Sequence, residues 1–428
     1  MEKLMHYIWQ HRLWLSEDMR TVDGRRITVL DTGKYNTDAG PDFFNAKIKL
    51  DGQLWAGDVE IHVRASDWFR HGHDSDAAYD SVILHVVGKD DMPVPRSNGS
   101  VIPQFRMPCA PDFNRSYTAL VDVSHMSLPC AKALKDMPSV HLYSWIDALG
   151  YERMYGKSER ILEYMNRFSG DWESACYVAL ARALGFSVNS EPFERLAFSI
   201  PISYLRKHSD SSLTLEAFFF GQAGLLPASD EGNPYVTLLL REYSFLASKF
   251  SLKPPVSLGW KMSRMRPQNF PHRRIAYLAA MFLGGFKVMS RLLDAATVED
   301  VTKIFNIELM GYWTNHYTFH GHSGTTQTIA LSRASIASLI INVAVPLLHA
   351  YGSFINDTSL ADRAVSWLQS LKPENNSVVE IFRSHGIECP NAFTSQALIQ
   401  LRRNYCECHK CLFCRIGHRH LSRCAKFR

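Results

Sequence analysis

The chain has 428 residues and a mass of 48.7 kDa, more than one ordinary domain holds, so two or three domains are expected. A hydrophobic fraction of 46% and a charged fraction of 21% supply apolar cores and exclude a mainly disordered chain. With 47 Lys and Arg against 42 Asp and Glu, the formal charge is +5, which permits a nucleic-acid partner without requiring one.

Residues 1–14 read as a helix with Leu4, Ile8 and Trp14 along one side. Glu2, Lys3, His6, Gln10, His11 and Arg12 interrupt any apolar run there, so no export signal is expected and a cytoplasmic location is the default. From about 20 to 107, runs rich in Val, Ile and Leu at 27–30, 46–50, 54–63 and 81–87 predict strands. Asp-Gly pairs at 23–24 and 51–52 mark turns, and the second predicts a hairpin. Five prolines between 103 and 138 suggest a connector. Helical spacing follows at 145–149, 158–168, 172–184, 214–223, 235–250 and 275–283, and again at 395–403. The apolar stretch 336–348 holds Ser338, Asn342 and Pro346, so it reads as too short and broken to span a bilayer, and no membrane partner is expected.

The stretch Gly57-Asp58-Val59-Glu60-Ile61-His62-Val63 carries the most chemistry. In a strand, side chains alternate, so Asp58, Glu60 and His62 share one face while Val59, Ile61 and Val63 share the other. Asp42 precedes the neighbouring predicted strand, and a hairpin would bring it beside Glu60. Two converging carboxylates form a site for a hard divalent cation, Mg²⁺ or Mn²⁺. A half-exposed strand with alternating charges is the plainer alternative.

Pro41-Asp42, the hairpin and Glu60-Ile61-His62 resemble the signature of the PD-(D/E)XK nuclease superfamily. The resemblance implies a core of a helix, a mixed sheet and a further helix, with Asp42 and Glu60 as metal ligands. His62 stands where that superfamily usually has Lys, and its place implies a charge stabiliser or proton carrier. The chain as a whole also resembles an uncharacterised bacterial protein family, through Gly57–His62, Arg-Pro-Gln-Asn-Phe-Pro at 266–271 and Cys-Leu-Phe-Cys at 411–414.

A second metal set is open in the same region: His62, His73 and His85 with Glu60 or Asp58, suited to Zn²⁺ or Mn²⁺. In the tail, Cys406, Cys408, Cys411 and Cys414 fall within nine residues, and Cys411-x-x-Cys414 has the spacing that grips one tetrahedral ion. Zinc is the first expectation. An iron–sulfur cluster is the alternative, and would recruit Cys389, Cys130 or Cys109. The tail is also basic, with Arg402, Arg403, Lys410, Arg415, Arg419, Arg423, Lys426 and Arg428 against Glu407.

The segment 261–274 carries Arg264, Arg266, Arg273 and Arg274 without an acid, as a phosphate-contacting surface would. Helix capping and pairing with a buried acid such as Glu216 would explain it equally. His320 and His322 lie in an aromatic loop that reads as packed rather than ligating. Nucleotide-binding, serine-hydrolase and zinc-protease motifs are absent.

The expected fold is α+β: a nuclease-like mixed sheet with flanking helices over 1–130, an all-α domain over 131–385 and a Cys-rich, basic segment over 386–428. The expected function is metal-dependent cleavage of phosphodiester bonds in DNA or RNA. The alternative is a non-catalytic nucleic-acid-binding or scaffold protein on a degenerate nuclease fold.

Overall fold

The first helix, α1 (Glu2–Gln10), buries Leu4, Met5, Tyr7, Ile8 and Trp9. It is shorter than its apolar pattern suggests, because Arg12 turns left-handed (φ 53°) and Leu13 N–H closes back on Ile8 O at 2.9 Å. A computed structural model describes the chain except residues 1, 15–17, 109–110, 122–127, 129, 230–231, 256–257, 321–329 and 427–428. Of residues 111–114, 121 and 424–426 the backbone alone is described. Cys109, His322 and the side chain of Cys424 therefore lie outside the described residues.

The architecture is mixed α+β, in two compact units. One comprises residues 1–145, 381–386 and 401–428, and the other 146–380 and 387–400. The cysteine tail thus belongs to the same unit as the sheet.

That sheet has seven strands: β1 (Met19–Arg20), β2 (Arg26–Asp31), β3 (Lys34–Tyr35), β4 (Phe43–Leu50), β5 (Gln53–Arg64), β6 (Val82–Lys89) and β7 (Gln104–Arg106). Their order is β1-β2-β4-β5-β6-β7, with β3 beside β4. Pairing is antiparallel as far as β5 and parallel from β5 through β6 to β7. The β4–β5 hairpin turns at Asp51 (φ 50°) and Gly52 (φ 88°), the two positive φ values a tight primed turn demands. A second short helix, α2 (Asp67–Arg70), separates β5 from β6.

The two faces of the sheet differ. Val59 and Ile61 of β5 are wholly buried in a core shared with α1, Phe43, Ile48, Leu84 and Val86. Burying each contributes roughly 1.5–3 kcal/mol. A smaller cluster of Ala65, Trp68, Tyr79, Val82 and Val87 lies alongside the charged residues of β5.

The second unit is helical, as its spacing predicts. Trp172–Leu184, Ser212–Gln222, Pro234–Phe250 and Pro271–Phe282 sit within a few residues of their expected positions. The segments expected at 145–149 and 158–168 belong to one helix of 29 residues, Ser139–Arg167. Gly150 within it is a packing position, since a Cβ there would meet the Phe393 ring at 2.5 Å. The 336–348 stretch is also longer than expected. It lies in a helical run of 23 residues, Arg333–Ile355, long and apolar enough to cross a membrane by length and composition alone, with 67% of its most apolar window buried inside the protein. A π-helical turn at Ile340–Ala344 carries the run up to Pro346.

Candidate metal centre

The β4–β5 register pairs Phe43 with Val59, which sets Asp42 beside Glu60. The main-chain N–H of Asp42 donates to Glu60 Oε2 at 3.0 Å, and that of Ile61 donates to Asp42 Oδ2 at 2.9 Å. α1 contributes His6, whose Nε2 lies 3.2 Å from Asp42 Oδ2. Each carboxylate is thus held at a main-chain N–H of the other's strand segment.

Histidines surround the other side of Glu60. Its Oε1 lies 3.3 Å from His73 Nε2 and 3.5 Å from His62 Nε2, and His62 Nε2 is 3.1 Å from His71 Nδ1. One ring nitrogen each of His62, His71 and His73 lies within 4.8 Å of the others. Gly72 makes this possible: its left-handed backbone (φ 78°) turns the chain after α2, so that the flanking His71 and His73 both reach His62. The buried Trp68 meets His62 and His73 edge-on, and Tyr79 stacks on His73 with centroids 3.8 Å apart.

His85 has a different part. Parallel pairing sets it level with Glu60, and its Nε2 is 2.9 Å from His62 Nδ1. It therefore orients the ring that faces Glu60 rather than joining the set, and His71 takes the place expected of it. Asp58 is bound up in the strand pairing. It accepts from Asn45 N–H (2.9 Å) and Ser81 Oγ–H (2.6 Å), fixing the irregular β4–β5 and β5–β6 pairings.

Burial, with the neighbouring imidazoles, pulls His62 down to about 2 and His85 to about 3, so both are neutral near pH 7. A neutral His62 is not a fixed cation, and its geometry suits a ligand better than a charge stabiliser. Burial also pushes the Glu60 carboxyl up; the His73 hydrogen bond opposes this and the Asp42 charge adds to it. For His6, burial lowers the pKa, but Asp42, Glu2 and Glu60 outweigh it and the net direction is up. Tyr79 rises to about 12, through burial and then the charges of Glu60 and Asp42. Among the described residues no Lys or Arg forms an ion pair with Asp42 or Glu60, whose close partners are imidazoles and main-chain N–H groups.

The family described as "Protein of unknown function (DUF2851)" matches residues 2–377. The chain belongs to it. The matched span contains the whole constellation from His6 to His85 and stops short of Cys406. Neither the comparison with curated proteins nor that with solved structures finds a match.

The remaining expected site residues of this DUF2851 chain separate by burial. Arg264 and Arg266 are exposed, whereas Arg273 and Arg274 are 4% and 3% exposed. Arg273 donates to the main-chain oxygens of Trp313 and His316, and Arg274 to Asn269 Oδ1 and Ser335 Oγ, with its guanidinium 4.3 Å over the Phe186 ring. Together with Arg266 they line a cavity of about 240 Å³. Glu216 is not their counter-ion; its Oε2 accepts from the Tyr235 hydroxyl at 2.8 Å. The basic tail is partly engaged within its own unit. Arg402 pairs with Glu407, Arg423 pairs with Asp136, and Arg415 lies over Trp145. Cys408 is exposed and donates to Arg403 O, apart from Cys406, Cys411 and Cys414, which share a cavity.

Sequence reasoning missed His6 and His71 as site members. His71 and His73 around Gly72 were a legible signal, because a glycine between two histidines lets both face one point. His6 sits on an apolar helix next to Met5 and Tyr7, and nothing local distinguishes it from a core residue.

Proposed function

We propose that this protein is a metal-dependent phosphodiesterase acting on nucleic acid, with a divalent ion held by His62 Nε2, His71 Nδ1, His73 Nε2 and Glu60 Oε1. The observation that carries this reading is the buried Glu60 carboxylate, shared by two imidazoles and, among the described residues, in no ion pair with Lys or Arg. A buried carboxylate without a cation is costly, and a divalent ion at that point would offset the cost. Three imidazoles favour Zn²⁺ or Mn²⁺ over Mg²⁺. Bound there, such an ion supplies Lewis acidity towards a phosphoryl oxygen and acidifies water. Burial lowers the His6 pKa, but Asp42 outweighs it and orients the ring, which suits His6 to giving a proton to a leaving oxygen. The α1–sheet–α2 order and the position of Glu60 support the nuclease reading, as do the exposed Arg264 and Arg266 for a polyanionic substrate.

The test is cleavage of labelled single- and double-stranded DNA and RNA by the full chain with Mn²⁺, Zn²⁺ or Mg²⁺. Cutting that vanishes in Glu60→Ala and His73→Ala is the expected result. No cutting with any of these ions, or cutting indifferent to both substitutions, removes the reading. A non-catalytic nucleic-acid-binding role is the second reading, favoured by the neutral His62 in the usual Lys position. An inactive wild type that gains cleavage as His62→Lys would select it.

A further inference from the structure

Three thiols of the tail and one from far earlier in the chain come to one place. Cys130 precedes the short helix Ala131–Lys135, and Cys406 ends the π-helical turn Leu401–Cys406. Cys411 opens the turn Cys411–Phe413, and Cys414 precedes the helix Arg415–Lys426. All four line a single small cavity whose other walls are Leu120, Phe382, Leu401, Tyr405, Ile416 and Gly417. No carboxylate, lysine or arginine is among those walls.

The local backbone is built around the sulfurs. His409 adopts a left-handed conformation (φ 52°) in the turn between Cys406 and Cys411. Gly417 lies so close to the carbonyl of Cys411 that a Cβ would collide with it, so this glycine lets the last helix start against the turn. The main-chain N–H groups of Ile416 and Gly417 hydrogen-bond the Cys414 sulfur. Burial pushes the Cys414 thiol up, and those N–H groups together with the buried Trp145 indole N–H act against that rise. Donors near a sulfur in an apolar cavity favour negative charge there, and the Arg402 guanidinium does the same for Cys406.

We propose that Cys130, Cys406, Cys411 and Cys414 form a tetrathiolate metal centre that ties the C-terminal segment into the sheet unit. Cys408, which the spacing of the tail offers as a ligand, is outside it. The same thiolate chemistry serves a single zinc ion and an iron–sulfur cluster. The centre is separate from the Glu60 site and stands whether or not the chain cleaves nucleic acid.

The full chain, purified without oxygen, would be assayed for zinc, iron and acid-labile sulfide. Metal-stripped protein would then be reconstituted with Co²⁺ alone, because thiolate-to-cobalt charge-transfer absorption reports sulfur ligands and is silent for the imidazole site. Zinc with that cobalt band identifies a mononuclear centre, and iron with sulfide identifies a cluster; either supports the proposal. The metal should persist in Cys408→Ser and be lost in Cys130→Ser and Cys414→Ser. Wild-type protein can also be alkylated in its native state and mapped by mass. Cys130, Cys406, Cys411 and Cys414 should react only after a chelator is added, while Cys408 reacts at once. No thiolate-bound metal in the wild type, loss with Cys408→Ser but not Cys130→Ser, or alkylation unchanged by chelator would overturn the proposal.

Discussion

The main-chain N–H of Asp42 donates to Glu60 Oε2, while Glu60 Oε1 faces His73 Nε2 at 3.3 Å. One carboxylate thus joins the end of β4 to a cluster of imidazoles, and its removal has opposite consequences with and without metal. Burial raises the Glu60 pKa, so the folded chain holds that proton above the pH at which the unfolded chain releases it. Stability is therefore lost as pH rises through the folded pKa. Glu60→Gln removes that loss. Without metal, at about pH 7.5, its melting temperature should equal or exceed the wild-type value. With added Zn²⁺ or Mn²⁺ the wild type should gain melting temperature and Glu60→Gln should not. A variant less stable without metal, yet still stabilised by it, would show Glu60 to be structural.

The histidines separate into those that face Glu60 and one that stands behind. His71→Ala and His73→Ala remove nitrogens of the central triad and should each lower Zn²⁺ affinity by more than about a hundredfold in calorimetric titration. His85→Gln alters only the partner of His62 Nδ1, and a loss of about 10–100-fold is expected. If His85→Gln abolishes binding while His71→Ala leaves it intact, the set read from the sequence (His62, His73 and His85) is the correct one.

What the sequence disclosed follows from the range of each interaction. The period of two in β5 is local, so the apolar burial of Val59 and Ile61 and the opposite setting of Glu60 and His62 were readable. Asp51-Gly52 announced the hairpin, and the hairpin implied that Asp42 reaches Glu60. His6 depends on α1 packing against the sheet, which no short window encodes. Cys130 is similar: it meets Cys411 and Cys414 only once the chain returns to the sheet unit after residue 400. Cys408 shows the converse, since close spacing along the chain does not choose which thiols line the cavity. Arg273 and Arg274 look like a basic surface in the sequence, yet the helix Pro271–Phe282 buries both.

Metal-free protein should lose stability as the medium becomes acidic. His62 and His85 are buried as neutral rings, with pKa values near 2 and 3. The unfolded chain takes up protons below about 6.5, whereas the folded chain does so only far lower. Fewer protons are bound when folded across that window, so stability rises with pH within it. At pH 5 the effect is about 2 kcal/mol for each imidazole. Melting temperatures measured with chelator from about pH 5 to about pH 7.5 should climb, and His85→Gln should flatten the climb. A level wild-type profile would mean that one or both rings are protonated in the fold.

The helical unit carries a carboxyl with the opposite pH response. Burial pushes Glu216 up to about 7, against the lowering effect of the Tyr235 hydroxyl bond. Tyr235 is held in place by stacking on Tyr312 (centroids 4.3 Å apart) and by the Trp313 indole N–H, which donates to its oxygen at 2.9 Å. Between about pH 4.5 and 7 the folded chain keeps a proton that the unfolded chain has released. Stability is full below that window and declines as pH rises through it, by roughly 3 kcal/mol in all. Glu216→Gln preserves an oxygen for the Tyr235 hydroxyl and cannot ionise. It should melt above the wild type at about pH 8 and converge with it near pH 4.5. A variant that melts below the wild type at the higher pH would mean that Tyr235 and Trp313 stabilise the Glu216 carboxylate more than burial penalises it.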